Sequence, residues 1–364
     1  MASAFRRMSS CIGIFLLVSL NAPIFGQQSP TVTSKKLPAN YVSDLALIYQ
    51  GGTHRMDWTR DQFSPYVFRQ SGAGFEWLFD GFLFIEFKDN RGFEYAEGYG
   101  HRPAGQQEWL WLLNRNFEKG KAIHALNSLL DSLSLAGRKP VRKRKVVLTI
   151  PEPIKTNKNW GRINGRKINF ASNADRIAAC KWYIDKATAL WNKAGFKHLE
   201  LAGFYWVAER DIDAKTVLPA VSAKIKKQGK RFFWIPYYGA KGAGSWKDLG
   251  FDIAYQQPNY FFKLSTPHTA LTGAISFAKT NNMALEMEFD KRVITDDGFR
   301  KKFTDYLDEF EKNGMLSNAP VAYYEGGGAW YEMSMQSDRN VKSLFNRLAD
   351  IVAERQKKAD AKSR

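Results

Sequence analysis

The strongest constraint on this chain is a rhythm of eight short apolar runs, each handing on to an amphipathic stretch. The runs are rich in β-branched and aromatic residues and lie at 45–50, 79–87, 145–151, 198–206, 231–238, 252–257, 283–289 and 320–324. Between most of them, apolar residues recur every three or four positions, as on one face of a helix. Trp109, Leu112, Leu113 and Phe117 mark one such face, and Val341, Leu344, Phe345, Leu348 and Val352 mark the last. Strands joined through helices are parallel, because a parallel crossover needs a dozen or more residues. Eight repeats in 364 residues predict an α/β fold, a single (β/α)8 TIM-like barrel with long βα loops, over 41–354. A doubly wound open sheet is the alternative. The weakest repeats are the first helix, interrupted by Pro65, and a short fifth near 243–250.

The ends of the chain are read differently. Arg6 and Arg7, an apolar stretch from Cys11 to Leu20 and the small residue Gly26 before Gln27 have the order of a secretory leader over 1–26. The mature protein is then expected to be secreted or periplasmic, with no membrane span after cleavage. A linker over 27–40 leads into the barrel, and a basic tail over 355–364 is expected to be disordered. Cysteines number two, Cys11 and Cys180, which excludes a disulfide framework. The five histidines are scattered and no phosphate or dinucleotide loop is in context, so no metal and no cofactor are expected.

Net charge is +18, concentrated between 138 and 167, where eleven Lys and Arg face Glu152 alone, a local balance of +10. Such a stretch attracts polyanions. An exported chain without a nucleic-acid module points away from nucleic acid and toward carbohydrate, an anionic polysaccharide included. In a barrel the run divides. Residues 138–145 precede the third strand and belong at the base, leaving Lys155, Lys158, Arg162, Arg166 and Lys167 for the mouth.

Long irregular segments at 88–105, 151–172 and 325–336 each follow a strand, and so collect on the C-terminal face, where barrels hold their chemistry. The strand ends themselves carry Tyr49, Glu86, Glu152, Tyr205, Trp206, Glu209, Tyr237, Tyr238, Gln257, Asn259, Tyr260 and Tyr324. Burying so many polar groups is costly unless a ligand or a network satisfies them. On the seventh strand, alternation sends Leu285, Met287 and Phe289 toward the helices and Glu286 and Glu288 inward. Glycosidic bond cleavage uses two carboxyl groups, one protonating the departing oxygen and one attacking or activating water. Glu209 and Glu288, from strands nearly opposite one another, are the expected pair, with Glu286 and Glu152 as substitutes. Tyr49, Glu86, Tyr205, Trp206, Tyr237, Tyr238, Gln257, Asn259, Tyr260, Tyr324 and Trp330 are expected to bind substrate, the aromatics by stacking on sugar rings.

Acids after strand four and on strand seven resemble the superfamily of retaining barrel glycosidases. That resemblance implies an acid/base at Glu209 and a nucleophile at Glu288, which is followed by the aromatic Phe289. The superfamily's Asn before the strand-four acid is replaced by Ala208. Across most of the chain, Phe79-Asp80-Gly81-Phe82-Leu83-Phe84, Gly203-Phe204-Tyr205-Trp206, Trp234-Ile235-Pro236-Tyr237-Tyr238, Gln257-Pro258-Asn259-Tyr260 and Glu286-Met287-Glu288-Phe289-Asp290 resemble the bacterial family called domain of unknown function 4855. The resemblance implies a secreted protein grouped with TIM-barrel glycosidases, and brings no activity with it. The expected function is a glycoside hydrolase, retaining, acting on an extracellular polysaccharide. The alternatives are a non-catalytic carbohydrate-binding barrel and a polysaccharide lyase with Tyr237 or Tyr324 as base.

Overall fold

The computed structural model describes residues 41–210 and 214–363, so the leader and linker read from the sequence lie outside the described residues. Eight parallel strands close on themselves: β1 Asp44–Tyr49, β2 Gly81–Ile85, β3 Arg144–Ile150, β4 Leu199–Trp206, β5 Arg231–Trp234, β6 Ile253–Gln256, β7 Ala284–Glu288 and β8 Val321–Tyr324. Each pairs with its sequence neighbours, and β1 closes the ring by pairing with β8, Asp44 opposite Val321. The closed barrel is the expected fold, and it removes the open edges that the doubly wound alternative would have left.

Alternation sorts the strands into two cores. Leu45, Leu47, Val147, Phe233 and Ala284 fill the interior. Phe82, Leu148, Leu285 and Met287 pack outward against the helices. One strand breaks the alternation. In β4 the register slips between Leu201 and Gly203 against β3, a bulge that spends one extra residue. Gly203 fits there because a Cβ would lie 2.0 Å from the Arg231 carbonyl oxygen. Leu201 and Phe204 therefore both face the helices, while Ala202 and Tyr205 face inward.

The base of the barrel is closed by ions. Asp44 accepts from Arg355 Nε at 2.6 Å, Gln356 Nε2 at 2.9 Å and Tyr323 Oη at 2.8 Å. Asp80 accepts from the Ser43 and Asp44 amides and from Arg142. Arg355 and Gln356 belong to the last helix, Arg339–Ala361, which corrects the disordered tail expected over 355–364. Arg355 stays in the helix because its guanidinium, 6% exposed, ties that helix to Asp44. Asp338 caps the helix start by accepting from the Asn340 and Val341 amides.

The long loops stand at the opposite end. Segment 88–105 carries the short pair Phe93–Glu94 and Arg102–Pro103, segment 151–172 the hairpin Gly161–Ile163 and Arg166–Ile168, and segment 325–336 the helix Ala329–Ser334. The first helix, Arg60–Val67, forms with Pro65 inside it, and the fifth repeat shrinks to a single turn, Ala243–Ser245. No described helix is long and apolar enough to cross a membrane.

Candidate active site at the mouth of the barrel

The β4 bulge has a consequence at the strand's end. With alternation reset, Tyr205 and Val207 face inward and Trp206 and Ala208 outward. By the same alternation Glu209 comes over the mouth, and the Ala208 carbonyl is pinned outside by the Trp234 indole at 2.7 Å. Glu209 is half-buried and accepts from the Tyr99 hydroxyl at 2.6 Å. Tyr99 rises from the loop after β2 and stacks on Phe87, ring centroids 4.4 Å apart. Tyr99 and Glu209 together form a wall between two cavities. One, of 220 Å3, is also lined by Glu97, Glu152, Arg210 and Tyr237. The other, of 410 Å3, is lined by Tyr49, Arg55, Lys88, Gln257, Asn259 and Tyr324, with Phe87 and Phe262.

Four carboxyls reach this region in different states. Glu286, inward on β7 and 2% exposed, has no hydrogen-bond donor among the described residues. Burial, then the charges of Glu288 and Glu209, raise its pKa well above the ordinary value. Burial beside two like charges favours the protonated form of such an acid. Glu209 is pushed up to about 7 by burial, against the pull of the Tyr99 hydroxyl. Glu152, which accepts from the Glu97 amide at 2.8 Å, is likewise pushed up to about 7 by burial. Tyr49 and Tyr205 each feel the charges of both Glu209 and Glu286, which places the two acids over one floor of tyrosines.

Glu288 is the exception. Its side chain is fully buried and accepts from the Asn259 and Tyr260 amides, both at 3.1 Å, and from the Tyr306 hydroxyl. Burial holds it at about 7 although these donors pull downward. Like Glu286, it lines neither cavity; its donors are what set it apart. Its placement clamps the β6 loop, which carries Gln257 and Asn259 to the mouth, and Asn259 takes a left-handed φ of 56° there. Glu86 is also a clamp: Arg55 donates to it from Nε at 2.7 Å and from Nη2 at 2.8 Å, beneath Gly51, where a Cβ would meet the carboxylate at 1.8 Å.

The expected aromatics divide. Tyr49, Tyr237 and Tyr324 line the cavities, and Tyr205 lies buried on the inward face just below. Four others are corrections to the sequence reading. Trp206 faces outward, against Phe232. Tyr238 lies on Phe277 of the helix His268–Thr280. Tyr260 points into the helix layer, donating to Asp305 at 2.8 Å with Lys302 above its ring. Trp330 stacks on Phe345 and donates its indole N–H to the Pro65 carbonyl. Each is an aromatic one residue out of phase with the inward face, or in a helix, and its ring lies against the helix layer, buried in three cases and 41% exposed in Tyr238.

Sequence reasoning missed Tyr99, Arg55 and Lys88. The signal available for Tyr99 was its loop, 88–105, with glycines on both sides; Arg55 and Lys88 follow strand ends within a few residues. The basic hairpin expected near the mouth turns away from it: Gln106 donates to the Arg162 carbonyl and Arg166 pairs with Asp175. Among the described residues no three side chains of His, Cys, Asp or Glu gather as metal ligands would.

The family described as "Domain of unknown function (DUF4855)" matches residues 44–350. No curated protein matches the chain. Among solved structures, a Bacteroides thetaiotaomicron VPI-5482 protein described as a putative alpha-L-fucosidase superposes with TM-score 0.44 at 12% identity, over 91% of this chain and 99% of that one. The ICChI chitinase of Ipomoea carnea gives 0.40 at 12%, over 84% and 99%. The tryptophan synthase alpha-subunit of Pyrococcus furiosus gives 0.38 at 11%, over 85% and 97%. These are distant likenesses of barrel to barrel, and the chemistries they span show that such a likeness does not choose among reactions.

Proposed function

Taking as its premise that the chain belongs to the DUF4855 family, we propose that it is a glycoside hydrolase whose reacting carboxyls are Glu209 and Glu286. The observation that carries the reading is Glu286, an acid with 2% exposure and no donor among the described residues, under a mouth walled by Glu209 and tyrosines. A fold gains nothing from an unsatisfied buried acid, whereas a glycosidase needs a protonated carboxyl beside an ionised one. Burial places the shared proton on Glu286, which gives it to the departing glycosidic oxygen. Glu209, held by the Tyr99 hydroxyl, faces the anomeric carbon as carboxylate, either attacking it or activating water. Tyr49 and Tyr324 offer ring faces and Gln257 and Asn259 offer amides to sugar hydroxyls. Glu288 keeps the β6 loop in place and does not touch the sugar. The substrate is an extracellular polysaccharide, on the strength of the N-terminal leader pattern.

The test is a panel of plant, algal and bacterial polysaccharides assayed for released reducing ends. Glu209→Gln and Glu286→Gln are each expected to lower kcat by at least about a thousandfold, the size of losing a general acid or its partner, while the glycan is still bound. Binding without release by the unaltered protein, across the whole panel, would instead establish a carbohydrate-binding barrel.

A further inference from the structure

The two cavities on either side of Tyr99 and Glu209 differ in charge. The smaller holds Glu97, Glu152 and Glu209 against Arg210. The larger holds Arg55 and Lys88 against Glu209 alone. Lys88 makes no ion pair among the described residues. Arg55 spends Nε and Nη2 on Glu86 and lies over the Tyr49 ring, its carbon 4.5 Å from the centroid. Its Nη1 amino group has no acceptor among the described residues, and Arg55 lines the cavity. Gln257, whose Nε2 donates to Asn259 Oδ1 at 3.2 Å, leaves its own oxygen buried without a partner. The wall thus offers two cationic donors, one planar and one a point charge, beside neutral amides.

We propose that the larger cavity binds a sugar unit carrying a carboxylate, a uronic acid, with Arg55 Nη1 and Lys88 Nζ as its partners. A guanidinium edge suits the planar carboxylate, and the ammonium supplies the second charge. The inference rests on the hydrolase reading for the position of the scissile bond, over Glu209 and Glu286, and adds that a uronate occupies the Lys88 side of it. It owes nothing to the basic run at 138–167, none of whose Lys and Arg residues lines either cavity. A sulfated sugar presents a related anionic chemistry, and the experiment separates the two.

Binding to the full chain is measured at 0.15 M salt for tetrasaccharides of galacturonate, hyaluronan, alginate and chondroitin sulfate, each beside its carboxyl-reduced form. At least one acidic tetrasaccharide is expected to bind, with its carboxyl-reduced form at least about fivefold weaker, the size of a partly solvated charge-assisted contact. Lys88→Gln and Arg55→Lys, the latter keeping a cation for Glu86, are expected to abolish that preference. Lys158→Gln removes the same charge from the exposed surface outside both cavities and is expected to preserve it. Equal losses in Lys88→Gln and Lys158→Gln would overturn the inference, leaving general attraction by a basic protein. Lack of binding by every acidic member, or a Lys88-dependent preference that survives carboxyl reduction and follows sulfate, would also overturn it. Cleavage of a neutral glycan that depends on Glu286 would leave the hydrolase reading standing while this inference falls. Lys88-dependent binding of a uronide that is never cleaved would do the reverse.

Discussion

Both ends of this barrel bury carboxyl groups, and they treat them in opposite ways. At the base, Asp44 and Asp80 are 0% exposed and surrounded by donors: a guanidinium each, backbone amides, an amide side chain and a tyrosine hydroxyl. At the mouth, Glu286 is almost as buried and has no donor among the described residues, and Glu209 has the Tyr99 hydroxyl. The base joins the first strand to the last helix, and its ions fix where the chain's two ends meet. The mouth keeps polar groups in want of partners, which on the proposed function a substrate would bring. Burial alone does not tell the acids of the two ends apart; the count of donors does.

The contrast can be broken at either end. The largest effect is expected at the base, where Asp44→Asn leaves Arg355 buried without its counter-charge and should cost about 3–5 kcal/mol. Urea unfolding would read this as a lowered midpoint, and an unchanged midpoint would mean that the base network does not stabilise the fold. Next comes pH. Glu152, Glu209, Glu288 and Glu325 are each held at about 7 against 4.5 in the unfolded chain. Below 4.5 both states are protonated; between 4.5 and 7 the unfolded chain ionises first, so stability present at acid pH is lost as pH rises through that window. Unfolding free energy should fall by about 2 kcal/mol or more from pH 5 to pH 8, and calorimetry showing a rise would contradict the picture of a mouth full of neutral acids.

Smaller and opposite in sign to the base variant, Glu286→Met should stabilise the protein by about 1 kcal/mol at pH 8, since it removes an unsatisfied buried acid. A loss of stability there would place Glu286 among the structural acids. The finest adjustment is Tyr99→Phe. Without the hydroxyl, Glu209 moves further up from about 7, so the acidic limb of the pH–rate profile shifts to higher pH, with a stability change near 1 kcal/mol. An unmoved limb would detach Glu209 from the reaction.

The site was legible where a local rule governs. On β7 the period of two sends Glu286 and Glu288 to one side of the strand, and both are buried. The choice between them was not legible, because it depends on Tyr306, contributed by the helix Asp297–Lys312, and on the amides of Asn259 and Tyr260, all of which reach Glu288 and not Glu286. Similarly, Tyr205 and Trp206 are equal candidates in the sequence, and the β4 bulge turns one to the mouth and the other to the helices. The tail over 355–364 read as a charge run, and partners far off in the chain, Asp44 at 311 positions and the carbonyls of Ser43, Leu316 and Ala319, make Arg355 an anchor.

What the residues alone determined is the alternation that predicts the barrel, eight short apolar runs each followed by a period-three-to-four stretch, because hydrophobic periodicity is a property of neighbours in the chain. What the tertiary structure decided is which acids are satisfied, which aromatics face the cavities, and that the cations of the larger cavity are Arg55 and Lys88. Those outcomes depend on donors brought from distant segments and on a one-residue slip in strand register, neither of which is written in the spacing of any single segment.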